Sequence, residues 1–296
     1  VSGADNNAQT YCADQVRARD FASYAASLFV PPQQRRAWLA LAAFNAEVSQ
    51  IRDHVSQPLP GEVRLQWWRD VLTGEGAATV QDAQANPVAA ELLHAIARYD
   101  LSNETLVRLI DAHVFDVYDD PMPDMAALEA HCRDTSAALY ALRAKILGAD
   151  SPEVARAAQH AGIAEGLTGI MLTLPKHAAR RQLYLPGDLI KMNGVVAEEV
   201  FLRQTSSGLK ESLAQLRREA RSQFDQAMAM LPGVPPAARA AFLPLVQIAR
   251  VLKQLDTSDP FAPPQMSRLA VLWTLWRAAS RSRSRAEIQF RTSESS

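Results

Sequence analysis

Apolar residues recur with a helical period along nearly the whole chain. From Gln33 to Val55 the stripe is Ala37, Ala40, Leu41, Phe44, Val48 and Ile51, which puts one apolar face on a helix. Beside it runs a row four residues apart: Leu41, Asn45, Ser49 and Asp53. Leu209 to Leu231 repeats the pattern with Leu213, Leu216, Ala220 and Phe224, and Ala8 to Val30 does so with Val16, Phe21, Tyr24, Ala25 and Leu28. Alternating β-branched runs, the mark of half-buried strands, do not occur.

Proline, glycine and short polar residues punctuate these stripes. Pro31-Pro32, Asn86-Pro87, Ser102 and Ser151-Pro152 open helices, Pro58 with Pro60-Gly61 makes a turn ahead of a helix from Glu62 to Leu72, and Gly148 closes the long run from Met125. A helix from Ser151 continues toward Arg180 with a break expected at Pro175. Tyr184 to Gly187 reads as extended, 257–264 as a loop, and 266–288 as the last helix. The pattern predicts one all-α domain over 1–296 with ten to twelve helices and flexible tails at about 1–7 and 289–296.

Composition narrows the picture without changing it. The 296 residues are 48% hydrophobic and 21% charged, enough for a sizeable core. A net charge of -1 supplies no overall field for nucleic acid. Cys12 and Cys132 have neither metal spacing nor a disulfide framework and read as small buried hydrophobes, a usage that fits a reducing compartment. Without an apolar run of about twenty residues or a visible secretory signal, the expectation is a cytoplasmic protein that is soluble or peripheral to the inner membrane.

Several stretches carry a stronger signal. AFNAEVSQIRD (43–53), LIDA (109–112), LEAHC (128–132), KILG (145–148), GIAEGLTGI (162–170) and AARRQLYLP (178–186) resemble, in this order, the squalene/phytoene synthase family of head-to-head prenyltransferases. The resemblance implies an isoprenoid-synthase-type helical domain with a central cavity and two aspartate-rich motifs on facing helices. Such motifs have a physical reason. Diphosphates in an apolar cavity are costly unless magnesium ions held by carboxylates neutralise them. In this chain the first motif's leading acids fall on Ser49-Gln50, leaving Asp53, and the second motif's acids fall on Thr173, Lys176 and His177. The Asn and Gln that accompany the second motif fall on Gly169 and Gly166, and the small-residue motif near Ser136 to Tyr140 is altered. Ser49, Asp53, Thr173 and His177 are therefore degenerate motif positions. No cofactor is expected, and Mg²⁺ only at Asp53 if the chain is an active enzyme.

The same losses, with Phe44-Asn45, Glu47, the run Arg64 to Arg69 and Leu275-Trp276-Arg277, resemble the branch that includes the mitochondrial complex I assembly factor. That resemblance implies a non-catalytic assembly or lipid-binding role with a respiratory-complex partner. Candidate cavity or ligand residues are Asn45, Glu47, Arg64, Trp67, Trp68, Lys176, Arg180 and Tyr184. The plainer readings are an ion pair for Asp53, core packing for the tryptophans, and a helix dipole for Lys176 and His177. Metal-free binding of an anionic head group by Lys176, His177, Arg180 and Arg181 competes with these. His94, His113, His131 and His160 are scattered without metal spacing. Two alternatives stand beside the assembly reading. One is an active prenyltransferase condensing isoprenyl diphosphates. The other is a membrane-peripheral interaction protein using Trp273, Trp276 and the arginines 268, 277, 281, 283 and 285.

Overall fold

Helices make up every regular element among the described residues of the computed structural model, which describes the backbone of residues 3–293 and the side chains of 7–280. The first eight are α1 (Gly3–Arg19), α2 (Phe21–Ser27), α3 (Pro32–Ser49), α4 (Pro58–Thr73), α5 (Val80–Ala85), α6 (Pro87–Tyr99), α7 (Asn103–Ala112) and α8 (Val114–Tyr118). Then come α9 (Met125–Cys132) and α10 (Ala138–Ile146), joined by one π turn, and the longest helix, α11 (Pro152–Ala179). The chain ends with α12 (Gly187–Met192), α13 (Ala197–Phe201), α14 (Ser207–Met230), α15 (Leu245–Leu255) and α16 (Arg268–Ser293).

The starts follow local chemistry. Asp20, Asn86, Ser102, Asp124, Ser151 and Ser206 each accept a backbone N–H from the first turn of the helix they precede. Gly74 and Gly148 close α4 and α10 in the left-handed region, at φ +71° and +83°.

More helices form than the patterning predicts because long predicted helices are cut, among them the run from Met125, which the π turn divides into α9 and α10. Asp20 leaves the helical region and caps α2, so Ala8 to Val30 is two helices. The stripe from Gln33 ends at Ser49, and Ile51–His54 is a separate 3₁₀ turn. The helix expected from Ser102 to about Tyr118 breaks at His113, and in the one expected from Pro235 to Leu255 Pro244 divides a 3₁₀ stretch (Pro236–Phe242) from α15. Pro175 does the opposite: α11 runs through it to Ala179. There the missing N–H costs the ladder the one hydrogen bond it would have made to the Met171 carbonyl. Of the predicted tails, 3–7 is helical within α1 and 289–293 within α16. Residues 1–2 and 294–296 lie outside the described residues.

Two hydrophobic cores share one wall. The first gathers Trp38, Leu167, Leu216, Phe242 and Leu245 around α11 and α14. The second gathers Leu41, Phe44, Trp68, Leu92, Leu106 and Ile110 around α3 and α6. The helix α10 serves both, giving Tyr140 and Ala144 to one and Leu139, Leu142 and Ile146 to the other. Two of the predicted stripes point inward: Ala37, Ala40, Leu41, Phe44, Val48 and Ile51 are buried, as are Leu213, Leu216, Ala220 and Phe224. The stripe over Ala8 to Val30 does so only in part, with Val16 and Ala25 buried, Phe21 and Tyr24 half-buried and Leu28 exposed, because the break at Asp20 resets the helical register. Cys12 and Cys132 are buried thiols, each pushed up to about 12 chiefly by burial. Close approach of α11 to the π turn requires glycine. A Cβ on Gly162 would stand 2.1 Å from the Ala137 nitrogen, and one on Gly166 would stand 2.4 Å from the Cys132 Sγ.

Candidate functional site

At the end of α3 the chain tightens into the 3₁₀ turn that carries Arg52 and Asp53. The C-terminal turns of α11 carry Thr173, Lys176, His177 and, at the cap, Arg180. These two segments meet. The Asp53 carboxylate accepts from Lys176 Nζ at 2.5 Å and is paired through its other oxygen with Arg180. Burial alone would raise the Asp53 pKa, but the hydrogen bonds from Lys176 and Arg180 hold it below the usual carboxylate range. Next to it Arg52 grips Asp119 through two nitrogens.

Beneath these pairs lies a polar cluster built from four elements. His113 Nδ1 donates to Asp116 Oδ2 at 2.6 Å, Tyr184 donates its hydroxyl to Oδ1 of the same carboxylate, and Gln182 Nε2 donates to the Asp116 carbonyl at 3.1 Å. The His177 ring lies 4.5 Å from that of Tyr184, and His131 stands edge-on to His113 at 6.0 Å. Burial tends to raise the Asp116 pKa, but His113 (through charge and hydrogen bond), His131 and Tyr184 together bring it down. Burial pushes His131 down, and His177 down to about 4, so the His177 ring is neutral at pH 7. Burial and the Asp116 charge push the Tyr184 hydroxyl up.

The predicted site residues therefore divide. Asp53, Lys176, Arg180, His177 and Tyr184 come together. Thr173 faces a cavity of about 560 Å³ that it shares with Lys176 and the Phe261 to Gln265 loop, and its hydroxyl donates back to the Gly169 carbonyl at 2.7 Å. Asn45 is half-buried on α3, and Ser49 is exposed at its end. Ser49 does not share a helix with Asp53, because the turn at Gln50 breaks the expected row.

Glu47, Arg64, Trp67 and Trp68 form a different place. With Arg19, Ile51, His54 and Asn86 they line a cavity of about 310 Å³. Burial raises the Glu47 pKa there, against the opposing charge of Arg19. Trp68 is buried edge-on to Phe44, with ring centres 5.0 Å apart, which is core packing. Arg181, grouped with Arg180 by sequence, turns away at φ +59° and pairs with Glu198 at 2.6 Å.

Sequence reasoning missed Asp116, Gln182 and the Arg52–Asp119 pair, and treated His113 and His131 as unrelated. The one local sign was the three-residue spacing of His113 and Asp116. A second missed pair is internal: Tyr140 donates its hydroxyl to Glu165, whose pKa burial raises. Arg143 lies beside them over the Trp38 ring, 4.9 Å from its centre.

Magnesium does not fit this donor set. Both Asp53 oxygens are taken by cations, and Asp116 is committed to His113 and Tyr184. Among the described residues no three His, Cys, Asp or Glu side chains converge as a metal site.

An all-helical chain whose first-motif turn and α11 terminus meet over a polar cluster has a known architecture. A squalene synthase from Alicyclobacillus acidocaldarius aligns with a TM-score of 0.73, covering 89% of this chain and 98% of its own at 21% identity. A dehydrosqualene synthase aligns at 0.75, covering 95% and 98% at 17% identity. The fold is thus that of the head-to-head prenyl synthases. The sequence pattern of squalene/phytoene synthase matches residues 16–277, and the chain belongs to that family. Among relatives, the Rattus norvegicus NADH dehydrogenase (ubiquinone) complex I, assembly factor 6, is 30% identical over 249 residues, 84% of this chain and 74% of its own. A presqualene diphosphate synthase from Rhodopseudomonas palustris is 27% identical over 202 residues, 68% of this chain and 71% of its own.

Proposed function

We propose that this chain is a non-catalytic member of the squalene/phytoene synthase family, an assembly or lipid-binding factor that works with a respiratory complex. On this reading both aspartate-rich diphosphate motifs are lost. The observation that carries it is the Asp53–Lys176–Arg180 pairing. Where two sets of carboxylates would hold Mg²⁺ against a diphosphate, one carboxylate meets two fixed cations, which repel a metal ion. Similarity to complex I assembly factor 6 supports the partner. On this reading the protein works beside the membrane that carries the respiratory complex.

Purified protein is expected to form no product from farnesyl or geranylgeranyl diphosphate with Mg²⁺, under conditions where a presqualene diphosphate synthase turns over. Product formation would make the chain a prenyltransferase instead. Deleting the gene is expected to lower assembled complex I on native gels, and the Lys176→Ala variant separates a role for this site from a role elsewhere on the surface.

The same geometry favours one second reading, metal-free capture of a phosphate-bearing lipid or isoprenoid. Lys176 and Arg180 exceed Asp53 by one charge, so an anion can displace the carboxylate. Asp53→Asn is then expected to tighten inorganic pyrophosphate binding roughly tenfold in Mg²⁺-free calorimetry, about 1.4 kcal/mol. Unchanged affinity would leave the pairing as a structural clamp.

A further inference from the structure

The last helix carries two faces. On α16, Val271 and Leu275 are buried and Leu272 packs partly against the first core. Away from them Leu269, Trp273 and Trp276 are 79%, 57% and 52% exposed. At about 100° per residue these three fall within about 60° of one another, so they form one stripe on the solvent side. The two indoles stack on each other at 5.2 Å and 27° instead of folding down onto the protein. Trp38 and Trp68 are buried and Trp67 half-buried, which leaves Trp273 and Trp276 as the outward tryptophans among the described residues.

Charge follows the stripe. Between Met266 and Ser293 the sequence holds six arginines (268, 277, 281, 283, 285 and 291) and one acid, Glu287, in a chain whose net charge is -1. The guanidinium of Arg268 sits over the Phe21 ring, 4.9 Å from its centre, and helps dock the helix start on α2. Arg277, one residue beyond Trp276, has no ion pair among the described residues. The side chains of Arg281, Arg283, Arg285 and Arg291 lie outside the described residues, but their backbone continues the same helix. No helix of the described residues is long and apolar enough to cross a membrane.

We infer that α16 is an in-plane docking helix for an anionic lipid surface, with Leu269, Trp273 and Trp276 entering the headgroup boundary, Arg277 beside them meeting lipid phosphates, and the net positive charge of the segment adding to the attraction. Aromatic rings with an apolar body and one polar N–H favour that boundary, and clustered arginines favour negatively charged lipid over neutral lipid. A groove on a protein partner would match the apolar stripe alone; the nearly acid-free, arginine-rich run is what selects a lipid surface. This rests on α16 and not on the Asp53 region, so it stands or falls separately from the assembly role.

Flotation of the full chain with vesicles tests it. Phosphatidylcholine vesicles containing about one-third phosphatidylglycerol are expected to carry the protein at low salt, and pure phosphatidylcholine to carry at least tenfold less. Trp273→Ser combined with Trp276→Ser is expected to cut binding to anionic vesicles about tenfold, and Arg277→Glu several-fold. Because all three side chains face solvent, circular dichroism and melting of the variants should match the parent. Bound protein should show a blue-shifted tryptophan emission that the double variant lacks. Equal flotation with both vesicle types, or full flotation of the double variant, would overturn the inference. So would a dimer in light scattering that the double variant abolishes, since the face would then belong to a second copy.

Discussion

A histidine ring pressed against Tyr184 sets the pH response of this protein. His177 in the folded chain titrates at about 4, against an ordinary value of 6.5, because burial disfavours its charged form. The folded state therefore binds fewer protons than the unfolded chain between these values. Stability is full above about pH 6.5, falls as the pH drops toward 4, and levels off below. The shift corresponds to about 3 kcal/mol at its lower end, and His131, also lowered, adds in the same direction. Urea unfolding at pH 7 and pH 5 should show the fall, and His177→Phe, which keeps a ring on Tyr184, should reduce it by more than half. Asp53 acts at lower pH: its folded pKa is depressed, so its contribution is present above the usual carboxylate range and lost below it. At the other end of the interior, Tyr140→Phe removes the donor to an enclosed Glu165. An unfolding free energy lower by about 1–3 kcal/mol is expected in urea titration, and a Glu165→Gln partner change should recover part of it.

At the scale of elements, α11 is shaped by where a Cβ fits. Gly162 and Gly166 face the π turn with no room, whereas a Cβ on Gly169 meets nothing within 4 Å. Gly162→Ala should destabilise by about 3 kcal/mol through overpacking against backbone. Gly169→Ala should stabilise by about 0.5–1 kcal/mol, since alanine loses less backbone entropy in a helix. Paired thermal melts read both signs. At Gly166 any side chain would bring its first carbon into the Cys132 sulfur. On the opposing element, the turn at Gln50 lifts Asp53 off the α3 register and swings it toward Lys176.

For the whole molecule, two cores hinged on α10 hold α3 and α11 as separate walls, joined at one end by ion pairs. A diphosphate–magnesium ligand at 100 times its Kd would stabilise the fold by about 2.7 kcal/mol. The proposed function predicts no such gain: farnesyl diphosphate with Mg²⁺ should leave the melting temperature unchanged. The ions that would have to bind meet Lys176 and Arg180 already seated on the carboxylate.

What the sequence determined by itself was the helical class, the inward stripes, most caps and the family, because these depend on period, on capping side chains and on runs of matched residues. Asp53, Lys176 and Arg180 were legible as candidates singly. Their union was not, for it joins residues more than a hundred positions apart. Only the tertiary structure decided that Glu47 and the tryptophans belong to another cavity, that Arg181 turns away to Glu198, and that His113, Asp116 and Tyr184 form one cluster. A helical period fixes which face of a helix is buried. It carries no information about which other helix will face it, and the chemistry of this site lies in that pairing.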